Sequence, residues 1–229
     1  GHRLAMRRVG VTIFDSLPIP GGMLVAGIPQ YRLPRRVVER EVEMIQAAGV
    51  EIQCNKKLGK DFTMDDLTRQ GYKAMFLATG AYRSMPLSIA GEDAKGVMKS
   101  MEFLTEVNVN GGKAIGKRVA VVGGGNSAVD AARVAWRLPG CEKVTLIYRR
   151  TRAEMPAFKE EVDAAIEEGI EIHFLANPIK VHVEQGRIKA VDCIRMKLGD
   201  FDSSGRRRPV PIEGSEFRVE VDTLITAIG

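Results

Sequence analysis

The 229-residue sequence predicts an α/β fold with a parallel sheet and an attached antiparallel meander. Residues 119–122 form a short apolar run, which is typical of a parallel strand buried on both faces. A glycine-rich turn follows this run, and residues 128–137 then continue in a composition that favours a helix. After residue 178 the apolar period changes to that of strands joined by turns, which indicates the meander.

Composition narrows the possible class of protein. Hydrophobic content of 45% is enough for a packed core, and 28% charged residues is ordinary for a soluble protein. The net charge of +5 suits an anionic ligand, but aromatic residues do not alternate with basic ones as in single-strand nucleic-acid binders. No apolar run has membrane length, and no secretory signal opens the sequence. We therefore expect no nucleic-acid partner, no membrane contact and a cytoplasmic location.

Three small residues follow the apolar run 119–122 in the pattern G-x-G-x-x-G/A: Gly123, Gly125 and Ala128. Gly123 permits the tight turn, Gly125 lets the backbone approach a pyrophosphate, and Ala128 lets helix and strand pack closely. The start of the following helix offers unpaired N–H groups to an anion. This strand–turn–helix context favours a dinucleotide site over an ordinary turn.

The next predicted strand, 143–148, indicates which dinucleotide is bound. An NAD site usually has Asp or Glu at the end of this strand, to bind the ribose 2′-hydroxyl. This sequence has Arg149 and Arg150 there and Arg152 close behind. Guanidinium groups bind a 2′-phosphate in forked pairs, so we predict NADP(H). The alternative is a solvated basic turn.

The cysteines and histidines argue against two other kinds of site. The three cysteines are isolated, with no C-x-x-C, and the three histidines have no ligand spacing. We predict no metal site, and a disulfide reductase of the thioredoxin reductase type is disfavoured.

The apolar period and the positions of Gly and Pro predict the elements before residue 117. They are the end of a helix (1–8), a strand (9–14) ending at Asp15, a Gly/Pro-rich loop (16–33), a helix (34–48), a strand (50–54), a short helix (63–69), a buried strand (73–77), and a connector (82–116) with a helix at 99–108. The boundary at 110–112 divides the chain into domains 1–112 and 113–229.

The remaining elements follow the dinucleotide motif. They are a helix (158–168), a strand (170–175), and strands 179–183, 188–196, 217–221 and 223–228, with turns at 185–186 and 203–205. Arg206, Arg207 and Arg208 follow the second turn, and we interpret them as a solvated hairpin tip rather than a binding patch.

Longer motifs make a family resemblance specific. They are PGGML (20–24), GIPQYRLP (27–34), LATGA (77–81), VVGGGNSAVDAAR (121–133), YRRTRAEMPA (148–157), LGDFDSSGRRRPVPIEGSEF (198–217) and DTLITAIG (222–229). In these motifs the chain resembles the small (β) subunit of glutamate synthase, and with it ferredoxin-NADP oxidoreductase subunits and the N-terminal flavin part of dihydropyrimidine dehydrogenase.

The resemblance implies FAD and NADPH in two Rossmann-like domains, with hydride passing from NADPH to FAD and electrons on to a partner. That partner would be an iron–sulfur protein or a subunit like the glutamate synthase large subunit. For FAD it implies Asp15 on the adenosine ribose, Gly21, Gly22 and Met23 along the flavin, and Thr79, Gly80 and Ala81 over the phosphates. For NADPH it implies Gly123, Gly125, Asn126 and Ser127 at the pyrophosphate, and Arg149, Arg150 and Arg152 at the 2′-phosphate.

The sequence departs from the family at the FAD domain. The glycine loop and first strand of that domain, and the segment that returns to complete it, are not found in the sequence. We therefore expect an incomplete FAD-binding domain beside a Rossmann-like three-layer NAD(P)-binding domain. The alternative function is a truncated nucleotide-binding module without catalytic activity of its own.

Overall fold

The chain folds as two compact units in a computed structural model that describes residues 1–82, 84–112, 114–202 and 205–228. The first unit comprises Gly1–Tyr82 and Thr105–Gly112, and the second comprises Arg83–Leu104 and Lys113–Gly229. Residues 83–104 thus belong to the second unit, whereas the predicted boundary placed them in the first. The reason is a short strand at 97–99, which pairs with a strand more than a hundred residues later.

The first unit is built from short helices around a two-stranded parallel sheet. Its elements are α1 (His2–Ala5), β1 (Val11–Phe14), α2 (Met23–Ala26), α3 (Arg35–Ala47), β2 (Val50–Gln53) and α4 (Met64–Arg69). β1 and β2 pair with Val11 opposite Val50. α3 follows Pro34, since proline is tolerated where a helix starts, and α4 begins with a capping box between Thr63 and Asp66.

Two predictions for this unit were wrong. Residues 73–77 form no strand, and the side chains of Phe76 and Leu77 are 93% and 63% exposed. A strand needs a hydrogen-bonding neighbour, and in the described part of this unit the paired strands are β1 and β2 alone. The segment 16–33, predicted as loop, contains the single helical turn α2.

The second unit contains a five-stranded parallel sheet, a three-stranded antiparallel sheet and helices. Its elements are β3 (Val97–Lys99), α5 (Ser100–Asn110), β4 (Arg118–Val122), α6 (Asn126–Arg137), β5 (Lys143–Tyr148), a 3-10 turn (Arg152–Glu154), α7 (Lys159–Glu167), β6 (Glu171–Phe174), β7 (Ala176–Glu184), β8 (Arg187–Phe201), β9 (Arg207–Glu220) and β10 (Thr223–Thr226). Helix α5 continues from this unit into the first.

The parallel strands lie in the order β3-β10-β4-β5-β6. β4 and β10 are buried along most of their length, as the apolar run at 119–122 predicted. Ala120 and Val122 pack against residues of the meander, and side chains alternate along a strand, so Val119 and Val121 face the opposite side. Helix α6 contacts both β4 and β5. The predicted α/β class and its layers of helix, sheet and meander are confirmed.

The meander β7-β8-β9 is longer than the sequence pattern indicated. β8 and β9 extend to Phe201 and Arg207, which lie opposite each other. Strand β9 contains Pro209 and Pro211, because an edge strand tolerates proline. The predicted turn at Gln185 and Gly186 is confirmed, with both residues at positive φ. In the other predicted turn, residues 203 and 204 lie outside the described residues.

An ion-pair cluster joins α6 to α7. Arg133, which is buried, and Arg137 both bind the Glu168 carboxylate, with Nη2–Oε1 distances of 2.6 and 2.7 Å. Arg133 also pairs with Glu161. The hydrogen bond from Arg137, with the bonds and charge of Arg133, lowers the pKa of Glu168 to about 2 against the effect of burial.

We expect the Glu168 contact to stabilise the fold above its ordinary pKa, and the stabilisation to be lost as the pH falls from about 4.5 towards about 2. Glu168→Gln should lower the free energy of unfolding at pH 7 by about 1–3 kcal/mol. The free energy of unfolding of this variant should also change less with pH in the acid range. The control is Glu167→Gln, an exposed neighbour at the same helix end. Urea unfolding at several pH values measures the loss of stability and its pH dependence. Equal stability of the two variants would contradict the prediction.

Candidate functional site

The loop between β4 and α6 is glycine-rich because neighbouring strands leave no room for side chains. Gly123 has a φ of +150°, and a Cβ added to it would lie 2.3 Å from the carbonyl oxygen of Ala227. A Cβ on Gly124 would lie 2.3 Å from the ring of Tyr148. The Cβ of Ala128 would lie 3.1 Å from a Cβ added to Gly123, so small residues at both positions permit the close helix–strand packing.

Gly125 differs from these two glycines because the space above it is open. No heavy atom lies within 4 Å of a Cβ added there, and its φ is −89°, a value any residue adopts. Gly125 is the N-cap of α6, and no side chain caps this helix start. The N–H groups of the first helical turn lack partners within the helix, so an anion fits above Gly125.

The segment before α7 is held beside the glycine loop by two hydrogen bonds. The backbone N–H of Ala157 donates to the Gly124 carbonyl over 3.1 Å. The N–H of Phe158 donates to Oδ1 of Asn126 over 2.9 Å. Asn126 therefore positions this segment with its amide oxygen, whereas Ser127 is exposed at the start of α6.

The three arginines after β5 have different surroundings. Arg149 is exposed, and among the residues that the structure describes its guanidinium has no partner. Arg152 is exposed and forms an ion pair with Asp163. Arg150 is only 4% exposed. Its Nη2 is 2.7 Å from Oδ2 of Asp202, and its Nε donates to the Arg207 carbonyl over 2.7 Å.

The buried pair occupies part of the Arg150 guanidinium, which was expected at the 2′-phosphate. Its Nε and Nη2 both have partners within the chain, so this geometry gives the expected phosphate contact no support. The spacing of motifs in the sequence did not predict the pair of Arg150 and Asp202, because the two residues are 52 positions apart. The pair brings Asp202 and the carbonyl of Arg207 to the side chain of Arg150, a proximity that the motifs did not indicate.

In the first unit, the structure brings several predicted FAD residues near one side chain that was not predicted, Tyr82. Asp15 follows β1, and its Oδ1 accepts from the N–H of Leu17 over 2.9 Å. Burial, together with the charge of Asp15, raises the pKa of Tyr82. The Tyr82 hydroxyl lies 3.8 Å from a Cβ added to Gly22, and its ring lies 3.1 Å from one added to Gly80.

The other predicted FAD residues are placed as follows. Gly21 has a φ of +123° and packs against Val25, where a Cβ would approach to 2.8 Å. Met23 begins α2 and is partly exposed, while Thr79 and Ala81 lie in an exposed segment outside helix and strand.

Other kinds of site have no support in the part of the chain that the structure describes. All three cysteines, Cys54, Cys141 and Cys193, are free. No group of three or more His, Cys, Asp or Glu side chains among the described residues could hold a metal ion. No helix there has the length and apolar character needed to cross a membrane.

A parallel sheet whose glycine loop opens a helix towards an anion site defines a dinucleotide-binding domain. Residues 5–229 match the pyridine nucleotide-disulphide oxidoreductase family, and the chain belongs to that family. Membership of this family agrees with the two predicted cofactors, NADP(H) and FAD.

Similar proteins agree with the family resemblance inferred from the motifs. The chain is 50% identical over 231 residues to the NADP(+)-dependent formate dehydrogenase subunit beta of Moorella thermoacetica, covering 100% of this chain and 32% of that protein. It is 37% identical to a putative glutamate synthase [NADPH] small chain of Cereibacter sphaeroides, covering 98% and 56%. The chain thus spans about a third of the length of the first of these.

A solved structure shows the same fold at low sequence identity. Mycobacterium tuberculosis FprA in complex with NADPH matches with a TM-score of 0.80 at 18% identity, over 96% of this chain and 64% of that one. This likeness confirms the α/β fold class.

Alanine substitutions distinguish Gly123, which is closed by packing, from Gly125, which has open space above it. Gly125→Ala should leave the melting temperature within about 2 °C of wild type, but weaken NADP⁺ binding at least about tenfold, because the methyl group enters the anion space. Gly123→Ala should instead lower the free energy of unfolding by about 2–4 kcal/mol. Calorimetric titration and thermal unfolding measure the two effects. Unchanged NADP⁺ affinity in Gly125→Ala would show that no ligand lies there.

Proposed function

We propose that the protein is an NADPH:FAD oxidoreductase module whose nucleotide site is the glycine loop of the second unit. The observation that supports this most directly is the open anion space above Gly125, at the start of α6. Gly123 and Gly124 are closed by packing, so the loop leaves one open position for a pyrophosphate.

The residues around this loop fit NADP(H). The first-turn N–H groups of α6 would bind the pyrophosphate, and Asn126 would hold the segment before α7 beside it. The exposed, unpaired Arg149 follows β5, where the adenosine ribose lies in such folds, and no carboxylate stands at that position in sequence. A guanidinium there favours a 2′-phosphate over a 2′-hydroxyl.

The first unit offers part of an FAD site. Asp15 keeps one carboxylate oxygen without a hydrogen bond from the described residues, which suits a ribose hydroxyl. Gly22 leaves open space towards Tyr82. When bound, NADPH and FAD supply the redox chemistry themselves, by hydride transfer from the nicotinamide to the flavin. The protein's residues bind and orient both groups, and this role requires no nucleophile of the chain.

The destination of the electrons is a further part of the proposal. The formate dehydrogenase relative is named as a beta subunit, and the other as a small chain, which supports transfer to a partner subunit. A glutamate synthase-type partner and an iron–sulfur partner both suit the module, which we place in the cytoplasm.

The experiment is a visible spectrum of the purified full chain, followed by dye reduction with NADPH. A flavin band together with NADPH-dependent reduction supports the oxidoreductase. Colourless protein that still binds NADP⁺ supports the alternative, a nucleotide-binding module without activity of its own. Flavin-containing protein without turnover would contradict the proposed reaction.

Arg149 provides the test of nucleotide choice. Arg149→Gln should weaken NADP⁺ binding by about 1.5–3 kcal/mol, the strength of one charge-assisted contact, and leave NAD⁺ affinity nearly unchanged. The loss should shrink as salt is raised. Calorimetric titration of both nucleotides measures the change, with Arg187→Gln on the far end of β8 as control. Equal affinity of the wild type for NADP⁺ and NAD⁺ would show that Arg149 only faces solvent.

A further inference from the structure

The β8–β9 hairpin reaches the end of β5, and the contact between them is buried. Arg150 donates from Nη2 to Asp202 and from Nε to the carbonyl of Arg207, each over 2.7 Å. Arg150 directly follows Arg149 in sequence. The carbonyl of Arg207 is therefore held by the side chain of the residue after Arg149, although 57 residues separate Arg150 from Arg207.

The arginines gathered here divide into those with partners and those without. Arg150 and Arg152 have carboxylate partners, and Arg206 donates its backbone N–H to Asp202 and has a further interaction. The guanidinium of Arg207 lies 5.7 Å from the ring centroid of Phe201 and is exposed. Among the described residues no carboxylate pairs with it. Arg207 can therefore bind an anion without first losing an ion pair.

We propose that Arg207 is a specificity-determining residue for the 2′-phosphate of NADP(H), acting together with Arg149, and that the buried pair of Arg150 and Asp202 positions it. This inference rests on the proposed nucleotide site. It adds strand β9 to that site, and β9 lies outside the motif at 148–157. For Arg207 it also replaces the sequence-based interpretation of residues 206–208 as a solvated hairpin tip.

Charge and rigidity both support this role. A phosphate next to two unpaired guanidinium groups receives forked, charge-assisted hydrogen bonds. The long side chain of Arg207 rests on the Phe201 ring, which limits its freedom before the ligand binds. Arg150 and Asp202 together add no net charge, so the positive potential at this place comes from Arg149 and the hairpin arginines.

The experiment compares Arg207→Gln with Arg208→Gln in the full chain, by calorimetric titration of NADP⁺ and NAD⁺. The two variants remove the same charge from adjacent positions of β9, whose side chains leave opposite faces of the strand. Arg207→Gln should weaken NADP⁺ binding about tenfold and change NAD⁺ binding less than about twofold. Arg208→Gln should change either affinity less than about twofold.

A second pair of variants tests the positioning role. Asp202→Asn should reduce the preference for NADP⁺ over NAD⁺ severalfold, because the hairpin is no longer held by an ion pair. Asp202→Glu, which keeps the charge, should restore part of that preference. If Asp202→Asn does not fold, Arg207→Lys replaces it, since lysine keeps the charge without the fork and should give an intermediate preference.

The outcomes separate this inference from the proposed function. If the wild type prefers NADP⁺ and Arg207→Gln keeps that preference, Arg207 has no part in recognition and only the hairpin inference is overturned. Loss of preference in Arg208→Gln instead would overturn the assignment to Arg207. A wild type that binds neither nucleotide overturns the proposed site, and the hairpin inference with it.

Discussion

The carbonyl oxygen of Ala227 occupies the place where a side chain on Gly123 would stand. The N–H of Ala227 donates to the carbonyl of Val122 over 2.8 Å, so the end of β10 is bonded to the end of β4 just before the turn. The glycine loop is therefore closed on one side by the end of a strand that comes about a hundred residues later in sequence. This contact requires β10 in its place in the sheet, between β3 and β4.

The meander forms the connection that brings the chain from β6 back to β10. The chain leaves the parallel sheet after β6, forms β7, β8 and β9, and returns as β10. Val181 and Val191 of the meander pack in one core cluster with Ala120 and Leu224 of the parallel sheet. Because apolar burial is the main favourable contribution to folding, this cluster holds the strands β4 and β10 that shape the loop. The same connection brings the β8–β9 hairpin to the end of β5.

The sequence predicted those features of this site that depend on neighbouring residues better than those that depend on distant contacts. The strand β5 was predicted with its observed bounds, and the loop and helix α6 followed from the small residues at 123, 125 and 128. Three of the failures involve partners far away in sequence. Residues 73–77 are apolar enough for a strand but have no described neighbour to pair with, and β3 exists because it pairs with β10. The burial of Arg150 depends on Asp202, whose distance in sequence no periodicity reveals.

Net charge is a poor guide to where this protein binds an anion. Many of its arginines are neutralised locally by carboxylates: Arg118 by Glu220 and Asp222, Arg133 by Glu161 and Glu168, Arg137 by Glu168, Arg150 by Asp202, Arg152 by Asp163, and Arg218 by Asp192. A buried pair such as that of Arg150 contributes little net stability, because removing both charges from water costs nearly what their attraction returns. Its effect lies in geometry, since it fixes a hairpin against a strand end. The proposed phosphate contacts therefore rest with the neighbouring guanidinium groups that have no carboxylate, and sequence composition cannot distinguish these from the rest.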